Sequence, residues 1–383
     1  MIPIRKAEPD CWLALALAAC AAGAHAETAL DAFDPATNGT VSAVLALPDG
    51  KVLLGGTFTS VGGAARSNLA RVNADGTPDA SFTADANGTV MALLRQPDGK
   101  ILVGGFFGAI DGATRLHIAR LEADGSLDAG FDAAATGNGS DQAVLGIARQ
   151  ADGKILIAGQ FSEVGGEAHP GVARLDANGT VDPGFAANVS GSVSVVVAVP
   201  DGHVVIGGNF FAVDGQSRSY IARLNPDGTY DPVFSAFADA GVSAIVREPD
   251  GHFLVGGSFG SPYLKMARFD ANGAVDSAFN LHIAGSRVSA IARQSDGSLL
   301  IGGSFQFVGS TPRKNLARFD SALALDASFD FDVEGGGFAP VSAIALAADG
   351  IAILGGELTR VDGQDRGHGA RLRDDRIFVD GFE

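Results

Sequence analysis

The chain has 383 residues, 46% hydrophobic and 19% charged, a balance that provides a buried core and excludes a disordered chain. Its 27 basic residues face 44 acidic ones for a net charge of −17, which excludes nucleic acid as a natural partner and disfavours anionic lipid. The 53 glycines are roughly twice the ~7% average and point to a turn-rich β protein.

The first element is a targeting segment. Arg5 and Lys6 precede an uncharged run from Cys11 to Ala24, and Ala24-His25-Ala26 has the small-x-small form of a cleavage site. Fourteen residues are too few for the ~20 that cross a bilayer, so residues 1–26 read as a cleaved signal peptide of a secreted or periplasmic protein. Leu17-Ala18-Ala19-Cys20 offers an alternative, a lipoprotein anchored through Cys20. Cys11 and Cys20 are the only cysteines, so residues 27–383 contain no disulfide, thiol nucleophile or Cys-ligated zinc. No later stretch reads as a membrane span.

From residue 41 one pattern recurs every 46 to 54 residues. Each copy opens on Val41, Val90, Val144, Val193, Val242, Val288 or Val341, with an Asp-Gly pair eight residues on. A Gly-Gly doublet follows, with Ala158 its one replacement. Nine residues after each Asp stands Phe58, Phe107, Phe161, Phe210, Phe259, Phe305 or, in the last copy, Leu358. An Ala-Arg pair then ends at Arg71, Arg120, Arg174, Arg223, Arg268, Arg318 and Arg371, and eleven residues later each copy closes on Phe82, Phe131, Phe185, Phe234, Phe279, Phe329 or Phe382.

Within a copy, short apolar runs are separated by turn residues, and Asp-Gly between two runs predicts a hairpin with a two-residue primed turn. Four antiparallel strands per copy follow, the last ending at the closing Phe. The expected fold is all-β, a single seven-bladed β-propeller of four-stranded antiparallel blades over residues 27–383. The residue two after each opening Val is small in six copies, as in Ala43 and Gly146, which places that strand innermost. Leu30-Asp31-Ala32-Phe33 copies the closing tail ahead of the first copy, so either it or the C-terminal strand closes the ring.

Units such as DGKILVGGFFGAIDGATRLHIARLEADGSLDAGF, residues 98–131, resemble the bacterial delta-60 repeat family, and the likeness runs from Val41 to Phe382. The resemblance implies propeller blades in an exported protein and carries no activity with it. Three departures stand out: the fifth copy lacks four residues between Phe259 and Arg268, the sixth has Ala322-Leu323 in place of Asp-Gly or Asn-Gly, and the seventh ends in a charged tail.

Candidate chemistry is sparse. Gly256-Gly257-Ser258-Phe259-Gly260 spells a nucleophile elbow, but Ser258 aligns with Thr57, Phe106, Gln160 and Asn209, and no helix follows. Asp176-Ala177-Asn178-Gly179-Thr180-Val181-Asp182 spaces oxygens as a calcium loop does, yet Ala187 stands where the bidentate acid belongs. No histidine pair has zinc spacing, and His203 and His252 replace Lys51, Lys100 and Lys154. No cofactor is expected, with calcium the one to test. The seven Ala-Arg arginines read as structural ion-pairing residues.

Two connections break the repeat: closing Phe to opening Val spans 13 residues from Phe131 to Val144 and 12 from Phe329 to Val341, against 8 or 9 elsewhere. They carry Asp132, Asp141, Asp330, Asp332 and Glu334, the candidate contacts for a protein, glycan or cation. The expectation is a monomeric binding scaffold without catalytic activity. Its alternative is a propeller enzyme, of metal-assisted hydrolase or lactonase type, with ligands in the central channel.

Overall fold

The computed structural model describes residues 29–137, 142–260, 264–337 and 340–373. The expected signal peptide, Cys20, Asp141 and Phe382 lie outside the described residues.

Every element among the described residues is a strand. Each unit opens on an inner strand that pairs antiparallel with a second, which pairs with a third. The first unit uses Val41–Ala46, Val52–Gly56 and Leu69–Val72, and the second uses Val90–Arg95, Ile101–Gly105 and Ile118–Leu121. The plan recurs up to Ala343–Leu346, Ala352–Gly355 and Gly369–Arg373. Second and third strands are buried along nearly their whole length, because each sheet is covered on both faces by its neighbours. One apolar cluster thus joins Leu102 and Ile118 of the second unit to Val144, Ile155 and Ile157 of the third, with Phe131 between them.

The expected fourth strand does not form in the first six units. It is reduced to single bridges, such as Val72 with Pro78 and Leu121 with Leu127. The cause is the aspartate one residue further on. Asp79 Oδ1 accepts the Ser81 N–H at 3.0 Å and Asp128 Oδ1 the Gly130 N–H at 3.0 Å, so the chain turns inward and delivers the closing Phe to the core.

The primed turns also sit elsewhere than expected. At the first Asp-Gly, the Gly50 N–H reaches Leu47 O at 3.1 Å, and Gly50 but not Asp49 has positive φ. That is a three-residue loop, a type I turn completed by a left-handed glycine. Two-residue turns with both φ positive cap short outer hairpins that were not anticipated. Ala109–Ile110 and Ala113–Thr114 form one around Asp111 (φ 49°) and Gly112 (φ 76°). These hairpins pair with the segment entering each unit, as Ala86 does with Ile110 and Ala135–Thr136 with Glu163–Val164. The fifth unit, four residues short, has no such hairpin among its described residues.

The glycine doublets seat one unit in the next. A Cβ on Gly104 would stand 2.8 Å from Val144 Cγ1, and one on Gly302 2.3 Å from Val341 Cγ1, so each opening valine fills a hole left in the preceding sheet. The same contact joins the two ends of the repeat: a Cβ on Gly355 would stand 2.7 Å from Val41 Cγ1, and the Val41 N–H donates to Gly356 O at 3.2 Å, as Val341 does to Gly303 O. Ala29–Leu30 pairs antiparallel with Leu372 and Arg373, so among the described residues the seventh unit gains a strand beyond its third, supplied by the N-terminal segment.

Candidate functional site

The recurring arginine of each unit pairs with a carboxylate. Arg120 Nε and Lys100 Nζ both donate to Asp128 Oδ2 at 2.7 Å, and the Arg120 guanidinium lies 4.7 Å above the Phe131 ring. Arg71, Arg174, Arg223 and Arg318 repeat the arginine's part with Asp79, Asp182, Asp231 and Asp326, over Phe82, Phe185, Phe234 and Phe329, and Lys51 and Lys154 repeat the lysine's part. Arg371 takes Asp31 and Phe33 instead. Arg71 also donates to Ala123 O at 2.8 Å and Arg174 to Pro226 O at 2.6 Å, each in the following unit. In the fifth unit Arg268 turns to buried Glu248 at 2.5 Å as well as Asp276 at 2.8 Å.

These partners hold the aspartates ionised. The Lys100 hydrogen bond does most to lower Asp128, to about 2, with Arg120 and the Gly130 N–H adding to it against burial. For Asp182 burial is the largest single influence and pushes upward, but Lys154, the Gly184 N–H and Arg174 outweigh it and leave the carboxyl at about 2.

The inner strands surround an opening of about 260 Å³ lined by Ser42, Ala43, Met91, Ala92, Gly146, Ser194 and Ser243 among others, which agrees with the inner placement read from the small residues. No acid, histidine or lysine lines it, and the described residues contain no group of three or more His, Cys, Asp or Glu placed to hold a metal.

A larger cleft, about 750 Å³, lies between the sixth unit and the connection leading to the seventh. Its walls include Ser286, Ser304, Gln306 and Phe307 of the sixth unit and Lys314 at the entry to that unit's third strand. Asp332, Gly335 and Gly337 of the long connection close the other side. Phe307 is partly exposed, so the cleft combines an aromatic surface with hydroxyl, amide and charged groups.

The structure does not gather the candidate acids into one cluster. Asp330 pairs with Arg313 at 3.0 Å, and Glu334 with Lys314 at 2.9 Å and Arg360 at 3.8 Å. Lys314 thereby lowers the Glu334 pKa. Asp132 lies 3.9 Å from Arg115 on the other connection. Of the four that are described, Asp332 lines the cleft. The residues that sequence reading missed, Gln306, Phe307 and Lys314, had one legible signal: they stand where other units carry different residue types.

The family model described as a domain of unknown function (DUF5122) beta-propeller matches residues 47–82, 96–131, 150–185, 200–234, 248–279 and 294–329, more than half of the chain. Among solved structures, the WD40 propeller domain of Doa1 superposes with a TM-score of 0.59 at 13% identity over 90% of this chain and 95% of its own. Virginiamycin B lyase from Staphylococcus aureus gives 0.57 at 14% identity over 89% and 97%. The extracellular domain of a putative one component system from B. thetaiotaomicron gives 0.53 at 12% identity over 90% of this chain and 39% of that one. These likenesses show the fold. No curated protein matches by sequence. No helix among the described residues is long and apolar enough to cross a membrane.

Proposed function

The chain belongs to the DUF5122 β-propeller family, and on that footing we propose that it is an exported, monomeric binding module without catalytic activity. In this reading residues 27–383 form one closed seven-bladed ring of delta-60 type, released by cleavage of residues 1–26 or held through Cys20. The Val41 contacts with Gly355 and Gly356 support closure. The resemblance to an extracellular domain supports export.

The ligand site of this proposal is the cleft between the sixth unit and the connection leading to the seventh, and the observation that carries it is that a cavity of about 750 Å³ coincides with a connection that breaks the repeat spacing. Its aromatic wall beside hydroxyl and amide groups suits a neutral glycan or a polar peptide, and the net charge of −17 disfavours a polyanion. The enzyme alternative finds no acid, base or metal ligand among the residues lining the central opening. Arrays of neutral glycans and of peptides test the reading. The expected result is a ligand retained by the native protein and lost on combining Phe307→Ala with Lys314→Ala; a ligand indifferent to that change would overturn it.

A further inference from the structure

The closing site of the seventh unit is built for a segment unlike those that close the other six. Elsewhere the aspartate and the closing Phe are three residues apart, as in Asp79 and Phe82; in Leu30-Asp31-Ala32-Phe33-Asp34 they are two apart. The site fits that spacing. Arg371 and Arg373 both donate to Asp31 Oδ2, at 2.7 and 2.5 Å, whereas the position of Arg373 is held in the other units by Asn73, Glu122, Asp176, Asn225, Asp270 and Asp320. In the first three units the second cation on the carboxylate is Lys51, Lys100 or Lys154; in the seventh, where Ile351 stands at that position, Arg373 supplies it. Phe33 is fully buried beneath Arg371, and Asp34 Oδ1 accepts the Gly367 N–H at 2.9 Å. Four of the five positions are therefore read: the apolar residue by strand pairing, the aspartate by two arginines, the phenylalanine by a pocket and the last acid by a backbone N–H.

The chain carries this pattern twice. Val379-Asp380-Gly381-Phe382-Glu383 matches residues 30–34 position by position as apolar, Asp, small, Phe and acid, with the same two-residue spacing. Phe382 also stands eleven residues after Arg371, the distance by which the other units return to their own closing site. A cleft of about 520 Å³ lies alongside the bound segment, lined by Asp31, Phe33, Asp75, Arg371 and Arg373, and gives a competing segment a route in.

We propose that the seventh unit holds a peptide-recognition site for the form apolar, Asp, small, Phe, acid, and that residues 379–383 are a second ligand for it, interchangeable with residues 30–34. Binding one copy releases the other as an exposed strand that can pair outside the ring.

The test uses the full chain with Cys11→Ser and Cys20→Ser. Leu30 and Leu372 are register partners, so Leu30→Cys with Leu372→Cys should form a disulfide. In a chain bearing Asp31→Ala and Phe33→Ala, the pair Val379→Cys and Leu372→Cys should form one instead. Thermal midpoints complete the cycle. Asp380→Ala with Phe382→Ala should change the midpoint by no more than about 1 °C alone, and all four alanines together should lower it at least ~4 °C beyond the sum of the two pairs. Additive losses, or absence of the 379–372 cross-link, would overturn the proposal. So would failure of the Asp31→Ala, Phe33→Ala chain to fold, since the second copy is expected to rescue it.

Discussion

The second and seventh units solve one problem with different chain connectivity. In the second, Arg120 finds Asp128 eight residues on and Phe131 eleven on, so its closing contacts are local. In the seventh, Arg371 finds Asp31 and Phe33, separated from it by almost the whole chain. The guanidinium over a buried ring and the paired carboxylate are the same in both. The difference teaches that the closing contact is a chemical unit independent of chain order, and that only at the seam does it tie the two ends of the chain together.

The comparison breaks most severely if a unit is removed. Deleting residues 90–143, one whole period, should abolish cooperative unfolding followed by circular dichroism, because the remaining units no longer bring Val41 against Gly355. Next in size, Phe131→Ala should cost about 3–5 kcal/mol in denaturant unfolding, since the side chain is fully buried and has no substitute. Phe33→Ala, equally buried, should cost less if residues 379–383 take its place.

Acid sharpens the comparison further. Asp128 and Asp182 are held at about 2, below the ~3.9 of an unfolded aspartate, so the folded state binds these protons less readily. Their contribution is complete above about pH 4 and is lost as pH falls toward about 2. Equilibrium unfolding between those limits should show Lys100→Met and Lys154→Met flattening the loss. A smaller effect separates two glycines of the second unit. Gly125 has φ 100° and its Cβ would lie 2.6 Å from the Phe82 ring, whereas Gly112 has φ 76° with nothing within 4 Å. Gly125→Ala should therefore destabilise by more than the ~1 kcal/mol expected of Gly112→Ala in the same measurement.

What the residues disclosed by themselves was what repeats. Seven arginines, the closing phenylalanines of the first six copies and the small inner positions kept register because each is fixed by its neighbours in the packed sheets, and the tail copy at Leu30 to Phe33 was visible for the same reason. Turn type was not legible at Asp49-Gly50, because Asp-Gly serves both a two-residue primed turn and a three-residue loop, and the flanking pairing decides between them. The fourth strand failed because Asp79 prefers its own backbone to the ladder. The outer hairpins were missed because two-residue strands such as Ala113–Thr114 carry too little apolar pattern. The cleft is formed by residues of the sixth unit and of the connections flanking it, so no single copy displays it. Leu323 shows the limit from the other side: it holds φ 65° where five copies have glycine, and it packs against the core cluster around Phe279 and Phe305.

Closure at the seam is the claim on which the rest stands, and amide hydrogen exchange at Val41 tests it most directly. Its N–H donates to Gly356 O across the first and last units, as that of Val341 donates to Gly303 O between the sixth and seventh. A closed ring predicts comparable protection at the two amides. Exchange of Val41 at the rate of an open chain, with Val341 still protected, would contradict it.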